Sequence, residues 1–165
     1  MVQVLYGLHC ANDTCAAVLL NDFRMDGKES LMVVADFDYT FTLRLGENGE
    51  PGCLTHEVFD LNKESGYVTS FTCPPVHTLN KTMAHLRDLI HGVDRMHSSR
   101  TNILVTGDSE VDAHMVDGWQ QKRVLRVGLV EDERPMLNSF DIVIKGNSFN
   151  RLRDLVKYVA STQQL

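Results

Sequence analysis

Two apolar runs, each followed by acidic residues, constrain the fold of this chain more than any other feature. The first run, LMVVA at residues 31–35, leads into DFDYTFT, and the second, NILVT at residues 102–106, leads into GDSEVD. A short continuous apolar run rich in valine is typical of a strand covered on both faces, as in a parallel sheet. Such sheets bind ligands at the carboxyl ends of their strands. The acidic residues therefore follow the strands at the place where this fold class positions functional groups.

The order of the other segments favours an α/β fold with a largely parallel sheet. Strands are predicted at residues 31–35, 67–72, 103–105, 124–130 and 141–144. Helices are predicted at residues 12–24, 82–91 and 110–116, and in a closing segment whose apolar face is Phe149, Leu152, Leu155, Val156 and Val159. Strand and helix alternate in the second half of the chain, which indicates crossover connections between parallel strands.

Length and composition predict one cytoplasmic domain over residues 1–165. The formal net charge of −6 argues against binding to a nucleic acid polymer. No segment approaches the roughly 20 apolar residues of a membrane span, and no signal peptide is evident near the amino terminus. The four cysteines form no C-x-x-C pair and the seven histidines no H-x-x-x-H pair, so we expect reduced thiols and no histidine metal site.

Asp36 and Asp38 follow the first apolar run. Strand alternation would place both carboxylates on one side, where they repel each other unless a cation or a shared proton relieves the repulsion. This pattern suits a nucleophile and an acid/base beside a divalent metal. A polar strand exit in which one aspartate caps a turn explains the same residues.

Asp108 and Asp112 follow the second run, after Gly107, which permits a tight turn. Residues four apart lie on the same face of a helical turn, so the two carboxylates are expected to point together. Oxygen ligands gathered at strand ends are those that Mg²⁺ prefers. An ordinary helix cap formed by Asp108 and Ser109 is the alternative interpretation.

Lys81 ends the sequence VHTLNK, just before the predicted helix at residues 82–91. Its ammonium group could hold a phosphate and screen the carboxylates. A lone lysine before a helix is usually just a solvated charge, so this residue alone does not indicate a site.

Taken together and in this order, these pieces resemble the haloacid dehalogenase superfamily of phosphotransferases. DFDYT is similar to its first motif, D-x-D-x-T, Lys81 to the lysine of its third motif, and GDSEVD to its fourth motif, G-D-x-x-x-D. Longer stretches resemble the cytosolic pyrimidine 5'-nucleotidase (5'-nucleotidase III) family: LMVVADFDYTFT, VHTLNK, NILVTGDSEVDAHMVDG, VLRVGLVED and SFDIVIKG. The resemblance covers roughly residues 20–160, apart from an internal gap.

This resemblance implies a Rossmann-like core and a Mg²⁺-dependent hydrolase of pyrimidine nucleoside 5'-monophosphates or another small phosphomonoester. Asp36 would attack the phosphorus to give an aspartyl-phosphate, and Asp38 would protonate the leaving oxygen and then activate water. Mg²⁺ would bind the Asp36 carboxylate, the Asp38 backbone carbonyl and Asp108.

The same resemblance implies the roles of four supporting residues. Lys81 and Thr40 would contact the phosphate, with Lys81 neutralising its charge. Asp112 would orient Lys81 or a metal-bound water, and Ser109 would support the acidic motif.

The chain departs from the family between the first and third motifs, where only about forty residues lie. The family places there a cap domain and a core strand that ends in the second-motif Ser or Thr. Residues 53–60 resemble the segment after the first motif, and residues 61–81 the segment before the third. A join near Asp60 and Leu61 is therefore predicted, with the cap absent or vestigial and a gap or exposed edge in the sheet. Residues 2–9 offer an alternative strand for the missing place.

Three other functions fit parts of this pattern. One is a catalytically impaired remnant that binds Mg²⁺, phosphate or a protein partner. Another is a broad-specificity phosphatase without a cap, whose open site an oligomer or a large substrate would cover. A response-regulator-like phospho-acceptor also clusters aspartates and a lysine on a parallel sheet, but the order of the motifs and D-x-D-x-T argue against it.

Overall fold

The computed structural model describes residues 8–42, 48–50, 76–119, 122–130, 138–146 and 149–161. Five strands form one sheet in this part of the chain: β1 (His9–Cys10), β2 (Leu31–Ala35), β3 (Asn102–Gly107), β4 (Arg123–Val130) and β5 (Ile142–Lys145). The α-helices are α1 (Asp13–Asp26), α2 (Met83–Leu89), α3 (Val93–Met96) and α4 (Asn150–Ala160). Two 3₁₀ helices span Lys28–Ser30 and Glu110–His114.

The strands lie in the order β1-β5-β4-β3-β2, and β2 to β5 are parallel, while β1 runs antiparallel to β5. Ala35 at the end of β2 lies opposite Thr106, and Gly107 at the end of β3 lies opposite Gly128. The carboxyl ends of β2 and β3 therefore share one edge of the sheet. The predicted mixed α/β fold with a mostly parallel sheet is confirmed.

Both faces of the central strand β3 are covered, which explains why its sequence is continuously apolar from Ile103 to Val105. Leu104 faces a cluster that includes Phe23 of α1 and Leu155 of α4, all three with no exposed surface. Ile103 and Val105 face the opposite side and belong to a second cluster with Met115 and Val116. Burying each of these side chains stabilises the fold by about 1.5–3 kcal/mol relative to an exposed one.

The predicted strands at residues 31–35, 103–105, 124–130 and 141–144 are found within two residues at each end, as are the helices predicted at residues 12–24 and 82–91. The helix predicted at residues 110–116 is found as the 3₁₀ helix Glu110–His114. Its backbone closes i→i+3 hydrogen bonds, such as Asp112 N–H to the Ser109 carbonyl at 3.1 Å. The side chain of Asp112 bends back onto Ser109 and tightens the turn.

The remaining predictions on the fold concern the sheet edges. Residues 2–9 were predicted as an alternative strand for the missing place in the sheet. Of these, residues 2–7 lie outside the described residues, and His9 belongs to β1, which pairs with β5 at the edge opposite β2. The strand predicted at residues 67–72 and the join predicted near Asp60 and Leu61 lie outside the described residues. Within the residues that are described, no helix has the length and apolar character needed to cross a membrane.

Candidate active site

The chain leaves β2 at Ala35 and turns sharply. Tyr39 adopts a positive φ of 57°, and its N–H donates to the Thr42 hydroxyl at 2.9 Å. Phe41 anchors the turn by stacking on Phe149, with 5.7 Å between the ring centroids. The prediction that strand alternation orients both Asp36 and Asp38 is wrong, because β2 ends at Ala35, before either residue.

A buried aspartate lies just beyond the end of β3. The Asp112 side chain is 1% exposed, and its Oδ2 accepts the Ser109 N–H at 2.9 Å and the Ser109 hydroxyl at 2.8 Å. A Cβ on Gly107 would lie 2.1 Å from the Asp112 Cβ, so a side chain at this position is excluded unless Asp112 moves. Ser109 and Gly107 thus hold Asp112 in place from two sides.

Lys81 reaches into the space between these two strand ends. Its Nζ lies 2.5 Å from Asp36 Oδ1 and 2.6 Å from Asp112 Oδ1. Burial lowers the pKa of the Lys81 ammonium, but its hydrogen bonds to Asp112 and Asp36 and the charges of these carboxylates raise it more, so the net pKa is raised. Lys81 is therefore a fixed cation in a carboxylate pair and not a solvated surface charge.

A third carboxylate, that of Asp108, joins the two that contact Lys81. One oxygen from each of Asp36, Asp108 and Asp112 lies within 4.8 Å of the others. The cluster holds three acidic side chains against one basic one, so a divalent cation would offset its excess of acidic groups. The donors are all hard oxygens, so the residues present fit Mg²⁺ or a similar ion.

The other predicted site residues surround this cluster. Asp38 is half-buried, and its carboxylate is not one of the three that gather. Thr40 has no exposed surface, and within the described part of the chain its hydroxyl has no hydrogen-bond partner. The predicted contacts of Asp38 with the metal and of Thr40 with phosphate stay predictions.

Sequence reasoning missed the residues that hold the amino end of α2, and with it Lys81. Thr82 caps this helix, since its hydroxyl accepts the His85 N–H at 3.2 Å. Ala84 and Gly118 approach each other closely at the same place. The role of Thr82 as a helix cap could have been predicted from the sequence. The close approach of Gly118 to Ala84 could not, because it depends on the tertiary fold.

The fold and the site together define an α/β protein with a carboxylate–lysine centre at the carboxyl edge of its parallel strands. The profile of the family described as "Pyrimidine 5'-nucleotidase (UMPH-1)" matches residues 57–160. The chain belongs to this family, and the resemblance drawn from its motifs is confirmed. The matched segment includes Lys81, Asp108 and Asp112, while Asp36 and Asp38 precede it.

Similar proteins include the 7-methylguanosine phosphate-specific 5'-nucleotidases A and B of Xenopus laevis, each 32% identical over 87 residues. The 7-methylguanosine phosphate-specific 5'-nucleotidase of Gallus gallus is 29% identical over 103 residues. These matches cover 49% and 58% of this chain but only 29% and 35% of the relatives' own lengths.

A solved structure shows the same fold. Cytosolic 5'-nucleotidase IIIB bound to cytidine aligns with a TM-score of 0.72 at 14% identity, over 92% of this chain and 93% of that one. The family is one of 5'-nucleotidases, which are phosphoric monoester hydrolases, so the predicted enzyme class is confirmed at the level of the family.

Proposed function

We propose that this chain is a Mg²⁺-dependent cytoplasmic 5'-nucleotidase that dephosphorylates pyrimidine nucleoside 5'-monophosphates through an aspartyl-phosphate. The observation that carries the proposal is the position of Lys81 Nζ, 2.5 Å from Asp36 and 2.6 Å from Asp112. An oxygen of Asp108 lies within 4.8 Å of an oxygen of each of these two carboxylates. Phosphoryl transfer depends mainly on positioning and on neutralising the charge of the phosphate, and this cluster serves both needs.

Asp36 is the nucleophile in this proposal. One of its carboxylate oxygens forms a bond to phosphorus while the bond from phosphorus to the 5'-oxygen breaks, and Asp38 gives its proton to that leaving oxygen. Asp38 then takes a proton from a water molecule, whose oxygen attacks the phosphorus. The aspartyl bond breaks, inorganic phosphate leaves, and both carboxyl groups return to their starting states.

The acidic cluster is where the metal would bind. Asp36, the backbone carbonyl of Asp38 and Asp108 would hold Mg²⁺, whose chemistry when bound is to neutralise charge on the transferring phosphoryl group. Asp112 stays with Lys81, because its Oδ2 is engaged by Ser109 and its Oδ1 lies 2.6 Å from the ammonium.

Lys81 and Thr40 would contact the phosphate. The ammonium lies beside Asp36 Oδ1, so a phosphoryl group on Asp36 would meet a cation already in place. Among the described residues the buried hydroxyl of Thr40 has no hydrogen-bond partner, so it would be available to donate to a phosphate oxygen.

A second substrate is favoured by the relatives, which are named for 7-methylguanosine phosphate. A methylated purine 5'-monophosphate is therefore the alternative to CMP and UMP. The chemistry at phosphorus would be the same for both, so the choice between them concerns only how the base is recognised.

Phosphate release tests the proposal. CMP, UMP, 7-methylguanosine monophosphate and p-nitrophenyl phosphate would be supplied with and without Mg²⁺ to the wild type, Asp36→Asn and the matched surface variant Asp154→Asn. Asp154 is 55% exposed and lies on α4, so its loss should not affect turnover. We expect Mg²⁺-dependent release that Asp36→Asn abolishes and Asp154→Asn keeps.

The other outcomes identify the rival functions. Equal release from all four esters would indicate a broad-specificity phosphatase without base selectivity. If folded protein binds Mg²⁺ but releases no phosphate, the chain is a binding domain and not an enzyme.

A further inference from the structure

The amino end of α2 is fastened to the turn that follows the 3₁₀ helix. The Met83 N–H donates to the Met115 carbonyl and the Ala84 N–H to the Asp117 carbonyl, both at 2.9 Å. The first N–H groups of a helix have no partner within the helix, so these carbonyls complete the cap that Thr82 begins. Lys81 immediately precedes this cap, and its backbone position is set by it.

Gly118 makes this close contact possible. A Cβ added there would lie 2.6 Å from the Ala84 Cβ and 2.8 Å from the Ala84 backbone N and Cα. Backbone atoms cannot yield without moving the helix itself. Gly118 also has a φ of +92°, a conformation that a residue with a side chain rarely adopts.

Arg87 makes a third connection one turn further along α2. Its Nη2 donates to the Gly118 carbonyl. Carbonyl groups of Met115, Asp117 and Gly118 therefore all accept hydrogen bonds from α2.

The turn that holds α2 continues directly from the segment that holds Asp112. Ser109 fixes one carboxylate oxygen of Asp112, and Met115 donates its N–H to the Asp112 carbonyl at 3.1 Å. Both partners of the Lys81–Asp112 ion pair are thus positioned by one continuous segment, residues 109–118. A lysine stem has several rotatable bonds, so the ion pair alone would place its ammonium less precisely.

We infer that the docking of α2 on Met115–Gly118 positions Lys81 for phosphoryl transfer, with Gly118 and Arg87 as positioning residues that act through Lys81. This inference rests on the proposed function for the role of Lys81. The docking itself is a separate claim about the molecule and can be tested without turnover.

The test compares Gly118→Ala with Gly27→Ala. Gly27 also has a left-handed φ, +77°, but a Cβ there would meet no atom within 4 Å, so this control carries the backbone strain without the clash. Gly27 lies before β2, at the amino end of the strand and away from the site. Kinetics on folded protein give kcat and KM for phosphate release. Peptide mass spectrometry at one fixed pH gives the acetylation rate of Lys81 relative to that of Lys157, an exposed lysine on α4 that is distant in sequence from both glycines.

In Gly118→Ala we expect kcat to fall about tenfold or more with a smaller change in KM, because misplacement of a positioned group by about 1 Å can cost 100-fold. The Lys81 to Lys157 acetylation ratio should rise about threefold or more, since Lys81 leaves its two carboxylates. Gly27→Ala should leave both quantities within about twofold of the wild type, because only local strain is added.

Arg87→Met provides a second variant if Gly118→Ala does not fold. It keeps an aliphatic stem and removes the donor to Gly118, and we expect about a threefold loss of kcat with a rise in the same acetylation ratio.

An unchanged acetylation ratio in the folded variants would overturn the docking inference. A raised ratio with unchanged kcat would overturn the positioning role. Absence of turnover in the wild type would overturn the proposed function, while the acetylation ratio would still decide whether the docking holds.

Discussion

Lys81 shows how far the chemistry of a residue depends on partners that are distant in the sequence. Its sequence context is that of a lone lysine before a helix, yet its ammonium lies between Asp36, 45 residues earlier, and Asp112. The motif order pointed to this residue, but its two ion pairs could not be read from local sequence. They arise because α2 docks beside the ends of β2 and β3.

Lys81→Met should lower kcat by about 100-fold, since it removes a preorganised charge from the site. It should also lower the free energy of unfolding by about 3 kcal/mol, because the buried Asp112 carboxylate loses its counter-charge. Enzyme kinetics and urea unfolding measure the two effects, with the exposed Lys28→Met as the matched control. Equal stability of the two variants would show that the buried ion pair contributes nothing.

Cys10 provides a prediction outside the site. Burial, then a hydrogen bond from its thiol to Asp13 and the charge of that aspartate, raise the pKa of Cys10 from 9.0 to about 11. A raised thiol pKa favours the unreactive neutral form, so the thiolate fraction at pH 8 is about 100-fold lower than in the unfolded chain.

Alkylation of Cys10 by iodoacetamide at pH 8 should therefore be slower in the folded protein than in urea by about that factor. Peptide mass spectrometry gives the rate, and the exposed Cys15 serves as the internal comparison. Equal rates for Cys10 in the two states would contradict the assigned environment.

At the scale of elements, the strands were predictable and the turns after them were not. The apolar runs of β3 to β5 carry their own signal, because both of their faces are covered. The run of β2 was expected to be covered on both faces as well, but its Val33 is 43% exposed. The turn after β2 depends on the positive φ of Tyr39 and on the stacking of Phe41 against Phe149, neither of which has a local pattern. The helix after β3 was predicted, but its 3₁₀ form was not, because its first turn carries an ordinary capping pattern.

The junction of β3 with this 3₁₀ helix predicts the effect of Gly107→Ala. The added Cβ would overlap the Asp112 side chain, so Asp112 must leave Ser109 and Lys81, and kcat should fall about tenfold or more. Gly146→Ala, which follows β5 and meets no atom within 4 Å, is the control. Wild-type kcat in folded Gly107→Ala would show that the position of Asp112 does not matter for turnover.

At the scale of the whole molecule, the predicted α/β architecture agrees with the structure. The carboxyl ends of β2 and β3 lie at one edge of the sheet, as expected for parallel strands. The segments that flank these strand ends were harder to predict from the sequence. β2 is the last strand of the described sheet, and the predicted join near Asp60 and Leu61 lies outside the described residues. The family match begins at residue 57 and so includes part of that stretch.

Mg²⁺ should stabilise the whole fold if the acidic cluster binds it. A ligand at about 100 times its Kd adds roughly 2.7 kcal/mol to the stability of the folded state, so the Tm should rise with Mg²⁺ concentration. Asp108→Asn should remove most of this rise. Asp117→Asn is the matched control, because Asp117 is 51% exposed and its carboxylate pairs with His114. An equal Mg²⁺ response in both variants would place the metal elsewhere.

The central claim is that Asp36 carries the phosphoryl group, and acid quenching of the reaction tests it most directly. Wild type and Asp36→Asn would be mixed with CMP or UMP, with and without Mg²⁺, quenched, and their peptides analysed by mass spectrometry. The account predicts a phosphorylated Asp36 peptide that requires Mg²⁺ and is missing in Asp36→Asn. Phosphate release that persists in Asp36→Asn, or that proceeds without any phosphorylated Asp36 peptide, would contradict it.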